Sequence, residues 1–159
     1  MASPTMSYLI CSVALVVLIL VLPSFFEIQR NGIADEMTRR ELTEIADYTS
    51  NTLSNLLFLA ESAHASGVSL TKELLYLPIT VGDSFYVLSI ADDGNSSKVI
   101  AYIMDRQSIS GQSWIAPGLD VDPEISLEIN SNELSGKLAV ASCYGDFGNF
   151  YVSLGYVEK

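Results

Sequence analysis

The chain reads as an α+β protein, a long N-terminal helix packed on a mostly antiparallel β-sheet head. Three observations carry that reading. No charged side chain occurs before Glu27, and residues 6–26 form an apolar run interrupted only by Ser7, Ser12, Pro23 and Ser24. Behind the run, apolar and small residues recur at helical spacing as far as Ala63. After Gly67 the pattern changes to short β-rich runs separated by Gly, Asn and Asp turns.

The first element, residues 1–26, is the rod. About 20 apolar residues at a 1.5 Å rise match the roughly 30 Å hydrocarbon core of a bilayer, so the run is long enough to span a membrane or to line a filament core. Ser3 and Pro4 make a good helix start, as N-cap and first helical residue. Pro23 removes one helical hydrogen bond, to the carbonyl of Ile19, and is expected to kink the helix there. A cleaved secretory signal has a basic start and a shorter core. The run has neither, which favours a retained anchor.

Residues 27–66 continue the helix. Leu42, Ile45, Thr49, Thr52, Leu56, Leu59 and Ala63 alternate at spacings of 3 and 4, with Leu53, Leu57 and Ala60 widening the stripe. Leu42, Ile45, Leu56 and Leu59 are therefore expected to dock on the sheet. The stretch from Glu27 to Glu41 is polar nearly all round, as a stalk or a surface covered by neighbouring copies would be. Gly67 is a credible C-cap.

Residues 67–159 form the head. Strands are expected at residues 85–91, 98–104, 126–129, 137–144 and 149–157, the first two joined by a hairpin turn at Asp93-Gly94. Residues 106–123, rich in Ser and Gly with two prolines, read as a long loop. An amphipathic helix and about five antiparallel strands must bury their apolar sides on each other, because neither is stable with that side wet.

Charge narrows the partners. The 159 residues include 19 acidic and 8 basic side chains, a net charge of −11 that belongs entirely to the part after Phe26. Nucleic acid and anionic lipid surfaces need clustered Lys and Arg, so neither is an expected partner. Arg30, Arg39 and Arg40 follow the rod, and the positive-inside rule taken literally puts the head in the cytoplasm. Large domains often cross regardless of charge, and Asn95-Ser96-Ser97 is a glycosylation sequon at the expected hairpin tip. An outside head is the favoured reading, with Asn95 as candidate acceptor.

No catalytic constellation is visible, and the chain is not expected to be an enzyme or to carry a cofactor. The single histidine, His64, has no second imidazole or cysteine pair with which to hold zinc. Asp120, Asp122 and Glu124 offer alternating oxygens to calcium, but the spacing is not that of an EF-hand, and a solvated acidic loop is the better reading. Cys11 and Cys143 read as free small hydrophobes. Trp114 is either a contact residue for a partner or, as the better expectation, a buried plug over the sheet end.

Taken together, Ser3-Pro4 opening an apolar helix, a proline near its far end, an amphipathic continuation and a compact antiparallel head resemble an archaeal type IV pilin or pilin-like protein. Leu77-Pro78, Val81-Gly82 and the strand beginning Phe85-Tyr86-Val87 resemble the head start of such proteins. The likeness covers the whole architecture, and its sharp motif is the N-terminus. It implies a structural subunit of an extracellular filament, a major or minor pilin, whose partners are other copies of itself, the membrane and pilus assembly machinery. Helices in apolar surroundings associate at small residues, which makes Ser7, Cys11 and Ala14, on one face of the rod, the expected contact. The alternative is a single-pass membrane ectodomain that binds or senses a partner through Trp114.

Overall fold

The computed structural model describes residues 4–63, 67–92, 96–121, 127–146 and 149–158. Helix α1 spans Pro4–Ser62 and is followed by strands β1 (Ser69–Glu73), β2 (Tyr86–Asp92), β3 (Ser97–Ile103), β4 (Arg106–Trp114), β5 (Leu119–Val121) and β6 (Glu128–Asn130). A short 3-10 helix at Ser131–Ser135 leads into β7 (Lys137–Asp146) and β8 (Asn149–Glu158). Two compact units result, residues 1–36 and residues 37–159.

In the first unit the helical assignment passes through Pro23 without a break. Proline leaves the Ile19 carbonyl without its donor, and one residue on, the Ser24 hydroxyl donates to Leu20 O at 3.3 Å. Every described side chain from Tyr8 to Phe26 is exposed.

The second unit holds the core. Its strands form two sheets, ordered β1-β7-β8-β5 and β4-β3-β2-β6, where a single sheet of four to six strands is the sequence expectation. All pairings are antiparallel except that of β5 with β8. Tyr156 on β8 ties one sheet to the other, for its hydroxyl accepts from Asn130 N and donates to Asn130 O on β6. Leu42, Ile45, Leu53, Leu56 and Leu57 from the helix meet Leu88, Val99, Ile103, Ile129, Cys143 and Leu154 from the strands in one buried cluster.

The helix stripe is buried as its period requires as far as Leu56, and Leu59 and Ala63 at its end are exposed. Leu42, Ile45 and Leu56 are in the core, whereas Leu59 is 55% exposed and is not a docking residue. The burying face turns through Leu53, Leu56, Leu57 and Ala60 instead, because a 3.6-residue helix drifts away from a strict 3-4 alternation. Buried Thr49 and Thr52 satisfy their hydroxyls on the carbonyls four residues back, Ile45 O at 3.0 Å and Tyr48 O at 2.9 Å.

Strand β4 occupies much of the segment expected to be a loop, and its attachment explains the missing signal. Arg39 donates from Nη2 to Ser108 O at 2.8 Å, and the Ser50 hydroxyl donates to Trp114 O. Between these two ties lies Gly111, where an added Cβ would sit 2.3 Å from Thr43 N and 2.5 Å from Leu42 C. Six residues of strand cover roughly 20 Å and eleven of helix roughly 16 Å, so β4 runs alongside the helix and touches its backbone. A second close approach is at Gly82, in a tight turn closed by Val81 N to Ser84 O at 2.9 Å and Ser84 N to Val81 O at 3.0 Å. Gly82 and Asp83 both have positive φ, 53° and 61°, as a two-residue hairpin turn demands. A Cβ on Gly82 would meet Thr38 Oγ1 at 2.7 Å.

Candidate functional site

Two surfaces carry the residues that sequence reasoning singled out. The first is the rod. Cys11 and Ala14 are exposed, and Ser7 lies in the same helix, its side chain outside the described set. Side chains of this segment are solvated in the single chain, and none of its most apolar window is buried. The helix is long and apolar enough to cross a membrane.

The second surface surrounds Trp114, at the end of β4. Its carbonyl is held by Ser50, but the ring is 60% exposed, so the buried-plug expectation fails. Trp114 is directly opposite Lys98 in the β3–β4 register, and the Lys98 ammonium lies 5.9 Å from the ring centroid. That contact is a cation–π pair at an exposed site, contributing about 0.5–1 kcal/mol. Trp114, Pro117, Asp120, Asp92 and Ser97 line a groove of about 380 Å³. Its chemistry is an aromatic surface beside two carboxylates, suited to a polar partner.

Elsewhere the reactive side chains are enclosed. Cys143 is a free, fully buried thiol, and burial pushes its ionisation up, which keeps it protonated and unreactive. Tyr86 is buried too; its hydroxyl donates to Pro78 O at 2.8 Å, and desolvation first, then the neighbouring Tyr156, raises its ionisation far above the ordinary range. Among the described residues no three His, Cys, Asp or Glu side chains converge as a metal site. Asp120 is exposed on β5, while Asp122 and Glu124, with Asn95 and His64, lie outside the described residues.

Comparison with protein-family models, with curated proteins and with solved structures finds no match for this chain. Sequence reasoning missed the groove around Tyr48 and Tyr76, between helix α1 and the segment after β1. Tyr48 falls just beside the helical stripe, and Tyr76 stands in a stretch with no period of either kind.

Proposed function

We propose that the chain is the structural subunit of an extracellular filament resembling a type IV pilus, a major or minor pilin that assembles through its N-terminal helix with the head outside. One observation carries the reading. The charge-free part of helix α1, up to Phe26, presents apolar side chains to solvent on every side, while the head closes its own core from residue 37 onward. Apolar surface of that extent demands cover, and lipid or the rods of other copies supply it. Once lipid has been left behind, packed rods are the cover that remains.

The test is the full chain beside bulky variants of the small-residue face. Cys11→Leu or Ser7→Leu is expected to abolish filaments or oligomers seen by negative-stain electron microscopy, leaving the circular dichroism of the head unchanged. Oligomers unaffected by both substitutions refute the reading.

A second reading, a membrane-anchored ectodomain that binds a partner, is favoured by the exposed Trp114 and its acidic groove. It requires a chain that stays monomeric in detergent and a partner whose binding is lost in Trp114→Ala.

A further inference from the structure

The groove between helix α1 and the loop after β1 combines features that select one kind of guest. Tyr48 and Tyr76 stand edge to face, their ring centroids 5.8 Å apart and their planes at 85°. Glu41, Glu44, Ile45, Pro78 and Thr80 complete a groove of about 420 Å³. Glu41, Glu44 and Tyr48 follow one another at i, i+3 and i+7, which places them on one face of the helix. Tyr76 is 80% exposed, so the aromatic corner is open to a partner. Neither carboxylate is engaged in a hydrogen bond or ion pair among the described residues. Two perpendicular rings with two carboxylates at the rim make a seat for an organic cation, flat enough to lie on a ring and able to donate several hydrogen bonds.

We propose that this seat receives the Arg30 guanidinium of a second copy of the chain, an inference that rests on the filament reading and names its ionic contact. Three other basic groups are already used: Arg39 on Ser108 O, Lys98 on Trp114, and Lys137 on Glu133 at 2.7 Å. Arg30 is exposed and is engaged by none of the described residues. It stands among Phe26, Ile28 and Ile33, each more than three-fifths exposed, on a segment that a neighbouring copy must cover if filaments form. A guanidinium suits the seat better than an ammonium, because its plane stacks on a ring while its fork meets carboxylates in pairs. The contact also sets attraction against the mutual repulsion of chains that each carry a net charge of −11.

The experiment uses the full chain in detergent, with association followed by sedimentation velocity. Arg30→Glu, and separately Glu41→Arg with Glu44→Arg, are each expected to weaken association by at least about tenfold, since each sets like charges face to face. Combining the three substitutions is expected to restore most of it. All these side chains are exposed, so thermal melts of the head serve to show that the fold is intact. In parallel, arginine ethyl ester is titrated into the full chain while the Tyr48 and Tyr76 ring resonances are followed by NMR. Saturable shifts that vanish in Tyr76→Ala are the expected result. Association unchanged by Arg30→Glu, or a charge swap that fails to rescue, overturns the Arg30 assignment and leaves the rod-based filament standing. Saturable binding of the ester without any Arg30 dependence assigns the seat to a free cation and equally overturns the proposal. A wild-type chain that remains monomeric at every concentration removes both this inference and the filament reading.

Discussion

Replacing Gly111 with alanine inserts one methyl group between β4 and the backbone of the helix. The new Cβ would lie 2.3 Å from Thr43 N, 2.5 Å from Leu42 C and 2.6 Å from Thr43 Cα. Carbon atoms prefer about 3.5–4.0 Å, so strand and helix must separate by roughly 1 Å, a gap that already forfeits a quarter to a half of each affected dispersion contact. Backbone cannot rotate aside as the end of a side chain does. The flanking ties from Arg39 to Ser108 O and from Ser50 to Trp114 O stretch with the same movement, each worth about 1 kcal/mol. Overpacking typically costs about 1–3 kcal/mol, and the lower unfolded-state entropy of alanine returns about 0.4–1 kcal/mol. A net loss near 3 kcal/mol is expected. With about 2.1 cal/mol/K of unfolding entropy per residue, a unit of this size loses roughly 10 °C in Tm. The assay is thermal and urea unfolding of a head fragment starting at Asn31, roughly two turns before buried Thr38. Gly136→Ala, at φ −125° with nothing within 4 Å of the added atom, is the control and should be close to neutral. Should Gly111→Ala unfold within about 0.5 kcal/mol of the parent, a surface-like effect, the helix is not seated on β4 as argued.

Other expected outcomes follow from burial and ionisation. In the same urea assay Leu56→Ala should cost about 2–5 kcal/mol and Leu59→Ala less than about 0.5 kcal/mol, because only the former leaves a cavity. Tyr86 has an ionisation raised above the ordinary 10.0, so the stability it contributes by staying neutral is complete below pH 10 and is lost as pH climbs beyond it toward the folded value. Tyr86→Phe should flatten that alkaline loss in pH-dependent melts, at a cost near 1 kcal/mol at neutral pH for the hydrogen bond to Pro78 O. Tyr102 and Tyr156, raised chiefly by desolvation, keep part of the dependence in the variant. In the full chain a thiol reagent should reach Cys143 only on unfolding of the head; prompt labelling of Cys143 in the folded protein would contradict the closed core.

The helical stripe and the β2–β3, β6, β7 and β8 strands were legible because apolar residues there recur at helical spacing or gather in short runs bounded by Gly, Asn and Asp turns, even where, as in β2 and β8, consecutive residues are buried. Expected and observed bounds for these strands differ by a residue or two. β1, β4 and β5 were illegible for separate reasons. Ser69–Glu73 has Leu70 as its one apolar residue and lies almost wholly exposed on a sheet edge, so it owes its form to the ladder with β7. Arg106–Trp114 contributes only Ile109 and Gly111 to its buried positions; the helix backbone fills the space that inward side chains would otherwise mark. Leu119–Val121 is three residues long and pairs in parallel with β8, a contact between chain segments nearly thirty residues apart that no local turn announces. Trp114 defied the prior that tryptophan is largely buried because its backbone, and not its ring, makes the attachment to the helix.

If filaments form, two kinds of contact hold them, and salt separates the two. Packing of rods at Ser7, Cys11 and Ala14 is a matter of close approach between uncharged helices, and ions hardly touch it. A contact between Arg30 and the carboxylates of another copy is at the surface, where the Debye length falls from about 30 Å at 0.01 M salt to about 3 Å at 1 M. Added salt also relieves repulsion among acidic heads, so the raw strength of assembly is a poor readout, for it mixes a lost attraction with a lost repulsion. Differences between variants are clean. The defect of Arg30→Glu relative to the parent should shrink steadily between 0.01 and 1 M salt, in sedimentation of the full chain, as both its lost pairing and its new repulsion are screened. By contrast, the defect of Cys11→Leu should stay constant over the same range, because a leucine in a helix contact obstructs by volume. An Arg30→Glu defect that persists undiminished in 1 M salt would mean that the residue acts through packing, and a Cys11→Leu defect that fades with salt would mean that the rod is not where the copies meet.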